Sequence, residues 1–145
     1  MKTRIPEADL RHRRGYNCAQ AVACTYADLV GVDEPTLFRM TEGLGLGMGG
    51  MEGTCGALSG ACVLAGLVSS GGDLQDPSTK GATYALSRTL VNAFLARNGA
   101  TRCADLKGVE TGAVLRSCPL CIADAAGFVE EFLFPGQFEK ETSDE

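Results

Sequence analysis

The sequence predicts an all-α protein: a single compact helical domain of about five to seven helices with one glycine-rich loop. Three observations carry that reading. Apolar and small residues recur at helical spacing along most of the chain, capping residues stand where those runs begin, and no segment alternates in the manner of a half-buried strand. At 145 residues the chain suits one domain, and a domain of that size buries roughly 70% of its unfolded surface. Neither disulfides nor a metal are needed merely to hold a core. Trp is absent, aromatics make up 6% and glycines number 19. A core of Ala, Leu, Val and Gly packs by close backbone approach.

Residues 1–15 read as a polar basic flank, residues 16–134 as the helical domain that carries the cysteines, and residues 135–145 as an acidic tail. Both ends read as solvated. The first helix is expected from Tyr16 to Val30, with Cys18, Val22, Tyr26 and Leu29 on one face. Asn17 is its N-cap, Gln20 completes a capping-box variant, and Gly31 closes it. A shorter helix is expected after Pro35, running to about Glu42. The glycine-rich stretch Gly43 to Gly53 follows, and Thr54 then caps an apolar helix from Cys55 to about Val68. Asp76-Pro77 introduces a helix from Ser78 to Arg97, with Ala82, Leu86, Leu90, Ala93 and Phe94 in one stripe and Gly99 past its end. A helical turn is expected from Cys103 to Lys107. Ser117-Cys118-Pro119 opens the last helix, which ends before Pro135.

Charge narrows the function. A net charge of −5 argues against a nucleic-acid binder, which usually shows a basic face. The first residues are too polar for the apolar stretch of a signal peptide, and Arg13-Arg14 has no hydrophobic run directly after it. The most apolar run, Cys55 to Val68, has 14 residues, short of the ~20 that span a bilayer. The expectation is a cytoplasmic protein with no membrane insertion. In that compartment thiols stay reduced, so seven cysteines point to metal binding or catalysis before structural disulfides.

The cysteines fall into two kinds. Cys18, Cys55, Cys103 and Cys118 all stand at expected helix N-termini, where unpaired N–H groups and the positive end of the helix dipole favour an anion. A thiolate is such an anion, and this placement lowers a cysteine pKa from ~8.5 into the range ~3.5–7.5. Cys24 and Cys62 lie inside helices among Ala, Val and Leu, where cysteine acts as a small apolar residue. Cys121 is intermediate, one turn into the last helix in the run Cys118-Pro119-Leu120-Cys121. Gly56 and Gly60, four apart on the helix after Cys55, each cost about 0.8–1.0 kcal/mol relative to Ala. Close approach of another helix near the cysteine would offset that cost; ordinary small-residue packing would do so equally.

At these positions the chain resembles the C_GCAxxG_C_C family of bacterial and archaeal proteins described as redox-active. The run Cys55-Gly56-Ala57-Leu58-Ser59-Gly60 carries the CGAxxG signature, and Asn17-Cys18-Ala19-Gln20-Ala21-Val22 looks like the first cysteine block. The glycine-rich run ahead of Cys55 is similar too. Phe94 to Gly108, with Gly99, Cys103, Leu106 and Gly108, looks like the third block, and Cys118-Pro119 matches the fourth. The likeness covers residues 16 to about 134 in order. It implies that Cys18, Cys55, Cys103 and Cys118 are the shared site, the same set that capping selects, with Cys121, Cys24 and Cys62 as additions in this chain.

Four thiolates suit an iron–sulfur cluster, which takes four cysteine ligands, so the leading expectation is a cluster on Cys18, Cys55, Cys103 and Cys118 used for electron transfer or redox sensing with an unidentified redox partner protein. Their spacings of 37, 48 and 15 residues match neither ferredoxin pattern. Backbone N–H groups of the Gly45–Gly53 loop could tune such a centre. The alternative is thiol–disulfide exchange, with Cys118 as the low-pKa thiol and Cys121 as its resolving partner one turn away. Zinc on the same four residues is the third reading, weakened because zinc sites usually contain two short C-x₂₋₄-C pairs.

Other motifs carry less. Gly45-Leu46-Gly47-Met48-Gly49-Gly50 matches G-x-G-x-x-G, but no strand precedes it and no helix starts at it, so a dinucleotide site is not expected. His12, the single histidine, lies in a charged segment and reads as an exposed surface residue rather than the base of a Cys–His pair. No C-x-x-C-H run for a c-type haem occurs, and no carboxylate pair stands out for acid–base work.

Overall fold

Helix starts here follow the capping side chains. Asn17 accepts from the Gln20 backbone N–H at 3.0 Å while the Gln20 side chain accepts from the Asn17 N–H at 2.9 Å, a reciprocal cap worth ~1 kcal/mol. Asp33 caps the next helix through the Thr36 N–H. The computed structural model describes residues 1–139. Its helices are α1 (Ile5–Arg13), α2 (Cys18–Thr25), α3 (Glu34–Glu42), α4 (Gly56–Ser69), α5 (Lys80–Asn98), α6 (Cys103–Lys107) and α7 (Cys118–Phe128). Among the described residues the only β pairing is an isolated antiparallel bridge between Thr54 and Arg102.

Helix α4 is the centre of the packing and touches α2, α5 and α7, while α1 lies across α2 and α7. Alanines supply much of the core: Ala19, Ala21, Ala23, Ala57, Ala61 and Ala65 are all fully buried. The glycines of α4 explain the closeness. A Cβ built on Gly60 would stand 2.6 Å from the Ala19 carbonyl oxygen, and one on Gly56 would stand 3.3 Å from the Cys18 Cβ. Close helix approach at a cysteine therefore accounts for both glycines, with α2 laid against the start of α4.

Three elements depart from the pattern read in the sequence. The helix expected from Tyr16 to Val30 stops at Thr25 and continues as a 3₁₀ turn, Ala27–Val30. Tyr26 leaves helical geometry because its buried hydroxyl donates to Glu130 at 2.6 Å, a tertiary bond that local spacing does not reveal. Thr54 is no cap; it pairs with Arg102, and Cys55 itself is the N-cap of α4. The helix expected from Ser78 begins at Lys80.

Residues 1–15 contain helix α1, which the basic composition did not suggest. It buries Ala8 completely, and its Arg11 pairs with Glu34 at 3.0 Å. At the other end, Phe134 is buried, and its ring and that of Phe138 lie 6.2 and 6.0 Å from Tyr26. Residues 140–145 of the expected acidic tail lie outside the described residues. No helix among the described residues is long and apolar enough to cross a membrane.

Candidate functional site

The four helix-start cysteines come from four different segments. Cys18, Cys103 and Cys118 are the first residues of α2, α6 and α7, and Cys55 is the N-cap of α4. All four line one cavity of about 190 Å³, and Cys121 lines it with them. Cys24 and Cys62 do not; Cys24 is 2% exposed within the core, and Cys62 packs against it further along α4.

Backbone hydrogen bonds bring the segments together. The Cys55 N–H donates to the Thr101 carbonyl at 2.7 Å, and the Cys103 N–H donates to the Gly53 carbonyl at 2.9 Å. These bonds lay the strand-like run before α4 against the run before α6, which places Cys55 near Cys103. The N–H groups of Leu115 and Arg116 donate to the Leu106 carbonyl. That contact folds the start of α7 onto the end of α6, setting Cys118 beside Lys107.

Several N–H groups of the glycine-rich loop, expected to tune a sulfur centre, are spent on the loop itself. Leu46, Gly47 and Met48 all have positive φ, at 54°, 56° and 63°, so the turn Gly45–Met48 winds left-handed. The N–H groups of Gly49, Met51 and Gly53 bond to carbonyls within the loop itself. Its outward-facing Met51 and Gly53 carbonyls instead take the first two donors of α6, at Ala104 and Cys103. The left-handed turn has a steric purpose too: a Cβ on Gly47 would stand 2.5 Å from the Cys103 Cβ.

Around the cavity the sulfurs perturb one another. Cys118 takes a hydrogen bond from the Cys18 thiol, and this, with Lys107 and the nearby His12, brings Cys118 down to about 5 against the opposing effect of burial. Cys18 is correspondingly pushed up, by Cys118 and then by burial. Cys55 is brought down to about 7 by its neighbour Cys121 and by the Ala57 and Leu58 amides, against the opposing effects of burial and Cys118. Cys121 is pushed up by Cys55 and by burial, and its thiol also points at the Arg116 carbonyl, 3.8 Å away. Cys103 is raised, chiefly by burial; its helix donors are already taken by the loop.

Among the described residues no group of three or more His, Cys, Asp or Glu side chains is arranged to hold a metal ion.

Several lining residues were invisible to sequence reasoning. His12, read as an exposed surface residue, is half-buried and lines the cavity. It arrives on α1, the helix the composition hid. Lys107 and Arg116 line the cavity as well. Arg116 is held by a two-pronged bond to the buried Asp124, with both contacts at 2.9 Å. The one available signal was the position of Lys107 in the last turn of a cysteine-initiated helix.

A helical bundle that gathers thiols from four helix starts defines a redox-active cysteine protein. Residues 16–132 match the family described as "Putative redox-active protein (C_GCAxxG_C_C)", and the chain belongs to that family. No curated protein and no solved structure matches the chain.

Proposed function

We propose that this is a thiol–disulfide redox protein in which Cys118 is the attacking thiolate and Cys18 the resolving thiol. The observation that carries the reading is the convergence of Cys18, Cys55, Cys118 and Cys121 on one cavity, where the neighbouring Cys18 and Lys107 draw Cys118 down. In the forward direction Cys118 attacks one sulfur of a disulfide on a redox partner protein or small molecule and expels a thiolate. Cys18 then attacks the Cys118 sulfur, giving up its proton as it does so, and releases the second thiolate. The substrate gains two electrons, and the protein is left with a Cys18–Cys118 disulfide. Lys107 favours the thiolate form of Cys118 before attack and after release. This pairing differs from the one the C-x-x-C spacing suggests, because Cys18 is the first influence that draws Cys118 down, while the Cys121 thiol points at the Arg116 carbonyl. A reducing compartment such as the cytoplasm would reset the dithiol.

Disulfide mapping of the protein, oxidised stepwise from the fully reduced state, tests the reading. A Cys18–Cys118 bond is expected to form first. A redox couple that keeps its full amplitude in the Cys118→Ser variant would sink it.

A second reading is kept because Cys18, Cys55, Cys103 and Cys118 share one cavity: an iron–sulfur cluster, or zinc, bound to those four thiolates after the sulfurs rearrange. Iron, zinc and acid-labile sulfide measured on anaerobically purified protein decide it. About one equivalent of cluster per chain would replace the dithiol reading with electron transfer or redox sensing.

A further inference from the structure

The cavity that gathers the thiols stands out in charge. The chain has 18 acidic residues against 13 Lys and Arg. A second hollow, beside α1 and α3, reflects that balance: Arg4 and Arg11 line it, and so do their ion-pair partners Asp28 and Glu34. The thiol cavity has no Asp or Glu in its lining, yet Lys107 and His12 both line it. Arg4, Arg11, Arg13, Arg97, Arg102 and Arg116 are held in ion pairs, whereas Lys107 and His12 enter none among the described residues. Arg116 lines the cavity as well, but two bonds commit its guanidinium to Asp124. Lys107 and His12 are thus the basic groups of the cavity that no carboxylate of the protein occupies.

Lys107 is half-buried, and taking water from an ammonium group costs free energy unless an anion offsets it. A thiolate on Cys118 is one such anion, but that charge is lost whenever Cys118 is joined to another sulfur. An anion carried by a bound molecule persists through the whole exchange. Size points the same way. The cavity measures about 190 Å³, below the ~300–1,000 Å³ of drug-sized sites. It has room for a sulfur, a short carbon chain and a carboxylate, and none for a loop of a folded protein. The buried Leu106 and the exposed Leu46 give such a chain apolar walls.

Resting on the thiol–disulfide reading above, we infer that the disulfide this protein reduces is a small molecule with a carboxylate on each arm, and that one arm enters the cavity with its carboxylate facing Lys107 and His12. Cys118, half-buried at the cavity, attacks the sulfur of the seated arm. The substrate S–S bond breaks, and the outer arm leaves as a thiolate. A second cavity thiol gives up its proton to solvent, attacks the Cys118 sulfur and releases the seated arm as another thiolate. Two electrons have passed to the substrate, and the protein keeps one disulfide. The carboxylate of the seated arm holds it against Lys107 throughout, and the short carbon chain sets its sulfur at Cys118.

Three small disulfides with arms of similar length are the probes: dithiodipropionate, anionic; hydroxyethyl disulfide, neutral; and cystamine, cationic. Loss of thiols from the reduced full-length protein is followed by acid quenching, alkylation and mass spectrometry. Each rate is divided by that of dithiothreitol with the same disulfide, which removes the intrinsic reactivity of the probe. Dithiodipropionate is expected to exceed hydroxyethyl disulfide by at least about tenfold, the scale of a charge-assisted hydrogen bond, with cystamine slowest. High salt should narrow the preference. In Lys107→Gln the anionic-to-neutral ratio should fall toward one. That ratio is insensitive to any change in the Cys118 thiolate, because both disulfides meet the same sulfur. Circular dichroism checks that the variant keeps its helices; should it not fold, the salt dependence of the unaltered chain carries the test. Normalised rates equal for the three probes, or a ratio unchanged in Lys107→Gln, would overturn the inference and leave the dithiol reading in place. Reduction of insulin disulfides with none of the small probes reduced would also overturn it, in favour of a protein substrate. Reduction of neither would remove both.

Discussion

Three helices of this protein each carry two cysteines, and the pairs behave differently. On α2 and α4 the start cysteines, Cys18 and Cys55, line the cavity, while Cys24 and Cys62 are packing residues. On α7 both Cys118 and Cys121 line it. Distance along the helix explains the contrast. Cys24 lies six residues past Cys18 and Cys62 seven past Cys55, so a rise of 1.5 Å per residue carries them about 9 and 10.5 Å away from the end where the cavity sits. Cys121 is three residues past Cys118, about one turn, and stays at the same end. Burial has one meaning for the packing thiols: it raises Cys62 and brings Cys24 up to about 11. At the helix starts, amides, Lys107 and protonated neighbours outweigh it for Cys118 and Cys55.

The largest test of that contrast is Cys118→Ser against Cys62→Ala. The first should abolish the Cys18–Cys118 bridge in oxidised protein. The second should leave every bridge in place and change stability by no more than about 1 kcal/mol, as for most half-buried substitutions. Next comes Gly60→Ala. Its new methyl group meets the Ala19 backbone carbonyl rather than a movable side chain. Overpacking of this kind costs ~1–3 kcal/mol and exceeds the helix-propensity gain of ~0.8–1.0 kcal/mol. Chemical denaturation should show a net loss, and the bridge between α2 and α7 should form more slowly.

Lys107→Met sharpens the electrostatic side. Removing an opposite charge near a thiolate raises its pKa by ~1–3 units. At pH 6, alkylation of Cys118 by iodoacetamide should then slow by roughly two- to ninetyfold, while Cys62 is unaffected. In the unaltered chain the Cys118 rate should fall as pH drops through about 5.

The smallest expected effect is on stability against pH. An ordinary thiol titrates at 9.0, and folding lowers Cys118 to about 5. Between those values the unfolded chain holds the extra proton, so this group favours the fold more as pH rises from 5 to 9. Cys18 is shifted upward, so above 9.0 the folded chain holds the extra proton and the sign reverses. The pair's contribution should therefore peak near pH 9 and vanish in Cys18→Ser/Cys118→Ser, as denaturation midpoints across pH would show.

Local chemistry determined much of this protein in advance. The Asn17–Gln20 capping box, the left-handed Gly31 and Gly99 stops, the turn Cys103–Lys107 and the four helix-start cysteines are all consequences of residues within one or two turns of each other. The packing interpretation of Gly56 and Gly60 was open in the sequence, because an interior glycine records that something approaches without naming it. Tertiary structure alone decided which sulfurs share a cavity. Cys18, Cys55, Cys103, Cys118 and Cys121 reach it from segments spread over about a hundred residues of chain. His12 reached the cavity on a helix whose only deeply buried residue is Ala8, too faint an apolar stripe to be read. Short-range capping selects the residues able to carry a thiolate, whereas the distances that make two of them a pair depend on how separate helices pack.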